Sequence, residues 1–248
     1  MKNGKYTFKI YYMEMTWMFK LMKLEMKKVK MGGYIKGAII ANIIIIAMLV
    51  AIIFVSKHEG EIEFTSILFT FSMVDRMVKA NFTIFASVLI ARFIIEEYKS
   101  NTITVLFMYP ISRKKLIMAK LLIVVLFTFI STVLSNIFID LVLCIINNFY
   151  NFTPDKLTSS TIIRSFMTIG INALASTGMG LIPLYFGMRK KSVPTTIVSS
   201  ILIVSIVCSD MGGVSLSNII SISIALSIIG GFIAYLSIRN IEHIDAIK

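Results

Sequence analysis

The chain has 248 residues, 57% hydrophobic and 15% charged, and carries a formal net charge of +12. A soluble domain is excluded by that composition: apolar runs of about twenty residues recur along the chain, the signature of one integral membrane unit. Nucleic-acid binding is excluded by where the positive charge lies, since nine of the 25 Lys/Arg precede Ala38 and most others sit in short connections between apolar runs.

No basic patch interleaved with aromatics lies outside the apolar runs, as a nucleic-acid surface would require. The basic residues instead set topology and draw the chain to anionic lipid. Cys144 and Cys208 are embedded in apolar runs and read as small buried side chains, neither a disulfide nor a metal pair. His58 and His243 are far apart, so no zinc or histidine-based catalytic set is expected. The first residues do not read as a signal peptide, because lysines continue through them and no small-residue cleavage site follows.

From about Tyr6 to Lys30, Phe8, Tyr12, Met15, Phe19, Met22, Met26 and Val29 recur at steps of three and four, which stacks them on one helical face. Lys9, Thr16, Lys20, Lys23, Lys27 and Lys30 follow one position later. An apolar stripe beside a basic one, with Trp17 near the boundary, predicts a helix lying in the membrane interface. Gly32-Gly33 is expected to end it and allow a bend into the bilayer.

Six spans follow: Tyr34 to Val55, Phe64 to Ile95, Leu116 to Ile146, Thr161 to Phe186, Val193 to Cys208 and Leu216 to Ile238. The second is longer than a bilayer needs and carries Asp75, Arg76 and Lys79; it is either one long span or a span preceded by a surface helix. Ser56 to Glu63 and Asn147 to Ser160 are expected outside. Arg189-Lys190-Lys191 lies in a basic loop expected inside, and Asp210 to Gly213 is a tight outer turn or re-entrant link. Both termini then lie in the cytoplasm. The expected divisions are 1–33 as the interfacial helix, 34–238 as the membrane domain and 239–248 as a cytoplasmic tail.

The connection at 96–115 carries the densest ordered set of charges. Glu96-Glu97 closes one apolar run, Arg113-Lys114-Lys115 opens the next, and Tyr109-Pro110 fixes a turn between them. A short helix, a turn and a new helix start are predicted. Adjacent carboxylates on a helix diverge by about 100° and rarely share one catalytic or metal site. Asp75, Arg76, Lys79 and Asp140 are intramembrane or outer-leaflet charges, costly in hydrocarbon and candidates for a translocation path or outer gate. Asn42, Asn136 and Asn172 read as hydrogen-bonding glue between helices, and the fourth span's Gly170, Ala173, Ala175, Ser176, Gly178 and Gly180 as close-packing positions.

Glu96-Glu97-Tyr98, then Thr102, a hydrophobic run, Tyr109-Pro110-Ile111-Ser112-Arg113-Lys114-Lys115 and Ala119-Lys120-Leu121-Leu122 resemble the loop of ABC-2 type permeases. The likeness is nearest to bacterial permeases for peptide-antibiotic export and self-immunity, such as the bacitracin and lantibiotic groups. It extends over the interfacial helix and the six-span layout; Asn101 stands where many members have Gly.

The resemblance implies an all-α membrane fold of type V exporter-like architecture in a bacterial plasma membrane. It implies that Glu96, Glu97, Tyr98, Thr102, Tyr109, Pro110, Ser112 and Arg113 form a coupling helix seated on a separate cytoplasmic ATPase. Two permease chains, identical or related, would work with two ATPase copies on a hydrophobic or amphipathic, antimicrobial or cytolytic peptide cargo. The chain has no Gly-x-x-x-x-Gly-Lys-Ser/Thr phosphate loop, so ATP and Mg belong to the partner and no cofactor or catalytic residue is assigned here. An intramembrane protease is disfavoured: Asn101 stands where its paired-glutamate motif needs Arg, and no span carries His. An ion-coupled secondary transporter using Asp75 or Asp140 is the alternative.

Overall fold

A computed structural model of the chain describes residues 18–28, 31–59, 67–99, 113–150, 159–208, 210–211, 214–215 and 220–239. Helix α1 covers residues 18–28, and α2 runs Met31–Glu59. Helix α3 (Ile67–Ile90) passes without a break into a π-helical turn (Ala91–Ile95) and then the single turn α4 (Glu96–Lys99). Helices α5 (Arg113–Tyr150), α6 (Ser159–Lys190) and α7 (Val193–Val207) follow. A two-residue antiparallel ladder, β1 (Asp210–Met211) with β2 (Val214–Ser215), precedes α8 (Ile220–Arg239).

Among the described residues five helices are long and apolar enough to cross a membrane: Met31–Ser56, Ile67–Ile95, Lys114–Phe149, Thr161–Lys190 and Ile222–Arg239. The expected fifth span is the 15-residue α7, about 22 Å of helix, short of a hydrocarbon core of about 30 Å. The tight link expected after it contains the β1–β2 ladder. Over the described residues the second span is one continuous helix from Ile67 onward. Gly32 and Gly33 lie inside the first turn of α2. Both glycines are therefore helical, and the helix end expected at them is not found there.

Helix α6 is the centre of the bundle and packs on α3, α5, α7 and α8. Its small residues allow this. A side chain at Gly178 would enter Ser227 of α8, and one at Gly180 would meet Ala86 of α3 at 2.6 Å. Gly170 has nothing near it, so that glycine is not a packing position. α2 lies at the edge against α3 and α5, with Ile39, Ile40, Ile43, Ile44 and Met48 exposed, as a lipid-facing surface demands.

Two large apolar clusters, and a small third one of Ala175, Met179 and Val207, hold the bundle. One joins α2, α3 and α5 through Leu49, Val74, Val78, Phe82, Ile139 and Leu143. The other lies at the end bearing α4 and joins Leu89, Ile90, Phe93, Ile94 and Ile95 to Ile117 and Leu121 of α5 and Leu184 of α6. Leu21 and Met22 of α1 join this second cluster. Helix α1 is thus docked on the bundle by Leu21 and Met22, while Phe19 and Met26, on the expected apolar stripe, are exposed.

Candidate functional site

The end of α3 is built as an elbow. Across the π turn, Glu96 N–H bonds the carbonyl of Ala91, five residues back. The extra residue in that turn rotates α4 by about 100° relative to an uninterrupted α-helix. A polar turn, Glu96-Glu97-Tyr98-Lys99, can therefore succeed an apolar helix without continuing its register. The elbow is tightly backed: Ile95 is fully buried, and a Cβ on Gly187 of α6 would lie 3.0 Å from its side chain.

The adjacent carboxylates part company there. Glu96 is exposed and pairs with Arg92 one turn earlier, Nη1 to Oε2 3.0 Å, a surface pair of small energetic weight. Glu97 turns toward the bundle. Lys28 of α1 donates to its Oε1 at 2.9 Å, and Lys120 of α5 donates to its Oε2. Lys120 is the centre of the site. Its side chain is 3% exposed, and it also donates to the Phe93 carbonyl inside the π turn at 3.1 Å. Glu25 of α1 lies 3.5 Å away. Two hydrogen bonds and a second carboxylate at ion-pair distance compensate this buried ammonium.

Burial alone would push the Glu97 carboxyl upward, but the two ammonium groups bonded to it hold it below the usual carboxylate range. The bond to Glu97 raises the Lys28 ammonium, against a smaller opposing effect of burial. The Glu97 carboxylate and the Lys28 ammonium are therefore charged through the middle of the pH range, beside the buried Lys120. Together they tie α1, the elbow and α5 at one point.

Of the residues expected in the coupling segment, Glu96 and Glu97 are placed in this way. Tyr98 lies in α4 and Arg113 begins α5. Thr102, Tyr109, Pro110 and Ser112 lie outside the described residues, as does Trp17 of the interfacial helix. Phe19, Lys20 and Lys23 are exposed on α1. Glu25, Lys28 and Lys120 were not singled out as site residues. Lys120 carried a usable signal, because it is the sole charge between Lys115 and Asp140 in an otherwise apolar run.

The intramembrane charges divide differently. Asp75 and Lys79 are buried on α3. Asn172 of α6 bonds Asp75, and Asp75 is near enough for its charge to act on Asp140 of α5. Lys79 Nζ donates to Ser223 of α8 at 3.4 Å. Arg76 stands apart from this set, half-buried, with Nε on the Ser72 carbonyl at 3.4 Å and its guanidinium over the Phe69 ring. Asn42 donates to Ser135 at 2.8 Å and links α2 to α5, the role expected of it.

The family model described as "ABC-2 family transporter protein" matches residues 21–208, most of the chain and all of the elbow. An uncharacterized protein of Bacillus subtilis (strain 168), YcbO, is 42% identical over 226 residues, covering 91% of this chain and 99% of that protein. No solved structure matches.

Proposed function

This chain belongs to the ABC-2 family of transporter proteins, and from that premise we propose that it is the membrane subunit of an ATP-driven exporter. A separate cytoplasmic ATPase seats on the segment from Glu96 to Arg113, and its closure moves the elbow. Two permease chains, identical or related, enclose the path, and the cargo is a hydrophobic or amphipathic peptide of antimicrobial or cytolytic type. The setting is a bacterial plasma membrane with both termini in the cytoplasm.

The observation that supports this reading is the three-way tie at Lys120. A force on α4 reaches α5 through Glu97 and Lys120, and reaches α1 through Glu97 and Lys28. The Phe93 carbonyl couples the same ammonium to the π turn at the end of α3. Packed elements joined at one charged point move together between discrete arrangements instead of deforming locally. Transport then needs a cargo affinity that differs between those arrangements. Family membership favours the ATP-driven reading over the ion-coupled secondary transporter.

The test is purification of the tagged chain from its native membrane, with co-purifying proteins identified and ATPase activity assayed. A nucleotide-hydrolysing partner that is lost when residues 96–113 are scrambled is the expected result. A preparation without one, at full expression, would overturn the reading.

A further inference from the structure

Polar residues recur every fourth position on two facing helices: Asp75, Lys79, Thr83 and Ser87 on α3, and Thr128, Thr132, Asn136 and Asp140 on α5. A step of four keeps each series on one helical face. All of these except Asp140, which is partly buried, are buried. The hydroxyls satisfy themselves. Thr83, Thr128 and Thr132 each donate to the carbonyl four residues back at 2.8 Å, and Ser87 donates to the Ile84 carbonyl at 2.6 Å.

The far end of the seam, about 30 Å along α3 from the elbow, is not satisfied in this way. Asn136 is 0% exposed, and neither polar atom of its side chain has a hydrogen-bond partner among the described residues. Asp75 Oδ1 and Asp140 Oδ1 are also buried without partners there. Orphaned buried groups of this kind cost about 1–3 kcal/mol each and call for a ligand, an ion or water. Three of these orphaned atoms are oxygens, on Asp75, Asp140 and Asn136.

Charge narrows the choice. Lys79, one turn from Asp75, balances that carboxylate, and the charge acting on Asp140 is the like charge of Asp75. Two carboxylates and one ammonium leave a formal charge of −1. No group of three or more His, Cys, Asp or Glu that could hold a metal ion occurs among the described residues, which disfavours a divalent ion. A proton shared by the two carboxylates would satisfy at most their two oxygens and leave the amide oxygen of Asn136 orphaned.

We propose that Asp75 and Asp140, with the amide oxygen of Asn136, bind one alkali-metal cation inside the helix bundle. The cation neutralises Asp140 and holds α3 against α5 at the end remote from the elbow. This goes beyond the exporter reading and does not depend on it.

The purified full-length chain in lipid nanodiscs should melt about 2–4 °C higher in sodium or potassium chloride than in choline chloride at equal ionic strength and pH. Asp140→Asn should remove that difference, and Glu96→Gln should keep it. If Asp140→Asn fails to fold, Asn136→Leu supplies the same comparison without changing charge. Equal melting in all three salts would overturn the proposal and assign the orphaned groups to water. So would a salt response retained by Asp140→Asn and Asn136→Leu. A melting temperature that follows pH but not the cation would also overturn it. The titratable groups facing the site are then Asp75, Lys79, Asp140, Cys144 and Cys208. Neither ATPase nor cargo enters the measurement, so its failure leaves the exporter reading untouched, and the reverse holds.

Discussion

Lys120 donates to the main-chain carbonyl of Phe93 at 3.1 Å while the same ammonium bonds the Glu97 carboxylate. One buried charge thus fastens both the backbone of the π turn and a side chain of the polar turn beyond it. Removing one partner of a buried ion pair costs about 3–5 kcal/mol, because the other charge is left uncompensated. Lys120→Met, which keeps the volume and loses the donors, should therefore lower the melting temperature of the purified chain clearly. Lys120→Arg should lower it less. Wild-type melting in the methionine variant would mean that the ammonium contributes nothing to holding the elbow.

The neighbours Glu96 and Glu97 should behave unequally despite their identity in charge and type. Glu97 has two lysine partners on two other helices, whereas Glu96 has one exposed partner on its own helix. Under the proposed exporter function, Glu97→Gln should retain membrane insertion but lose at least tenfold in peptide export, read as protection of cells against a panel of hydrophobic and cationic peptides. Glu96→Gln should stay close to wild type in stability, since an exposed pair contributes about 0–1 kcal/mol. Matched losses of export with unchanged stability would shift the role from the inward tie to a surface shared by both carboxylates. Arg113→Ala belongs to the same comparison, because it opens α5 beside the coupling segment.

Five of the six expected spans were legible in the sequence because lipid imposes long apolar runs whatever the packing. The run Ile43-Ile44-Ile45-Ile46 could only be a span, and it is found in α2. The elbow was legible in outline, from two carboxylates closing one run and Arg113 opening another. Which carboxylate turns inward was not, since that depends on the π turn, and the sequence Ala91-Arg92-Phe93-Ile94-Ile95 carries no proline or glycine to mark it. Nor could periodicity show that α1 docks through Leu21, Met22 and Glu25. It places Met22 on the apolar face, but it cannot tell that Met22 meets the bundle while Phe19 stays exposed, and it does not find Leu21 or the polar tie through Glu25. The fourfold step from Thr128 to Asp140 is plain in the sequence, yet hydroxyls in a span can bond their own helix, so the pattern alone does not mark a site.

Acid should loosen α1 through Glu97. Its folded pKa lies below the ordinary 4.5, so its contribution is complete above that value and is lost as pH falls through the depressed one. Lys28 works in the opposite sense. Its folded pKa is raised above 10.5, so its contribution is complete below that value and is lost as pH rises through the raised one. Between the two limits the tie is insensitive to pH. Amide exchange in residues 18–28 should therefore accelerate in acid ahead of exchange in α5, and Glu97→Gln should flatten that acid limb. Simultaneous acid release of α1 and α5 in wild type and variant alike would assign the transition to other carboxylates.

Gly230 and Gly231 are adjacent on α8 and should respond oppositely to the same substitution. A Cβ on Gly230 would run into the main chain of Gly178 on α6, 2.7 Å from its carbonyl carbon, whereas one on Gly231 meets nothing within 4 Å. Backbone cannot yield as a side-chain tip can, and Ser227 fixes the same crossing by donating to the Leu174 carbonyl at 3.1 Å. Gly230→Ala should therefore overpack the α6–α8 contact and destabilise by about 1–3 kcal/mol. Gly231→Ala should be neutral or add about 0.5–1 kcal/mol, because alanine loses less backbone freedom in a helix. Thermal melts of the two purified variants decide it, and equal behaviour would mean that α8 does not cross α6 at Gly178.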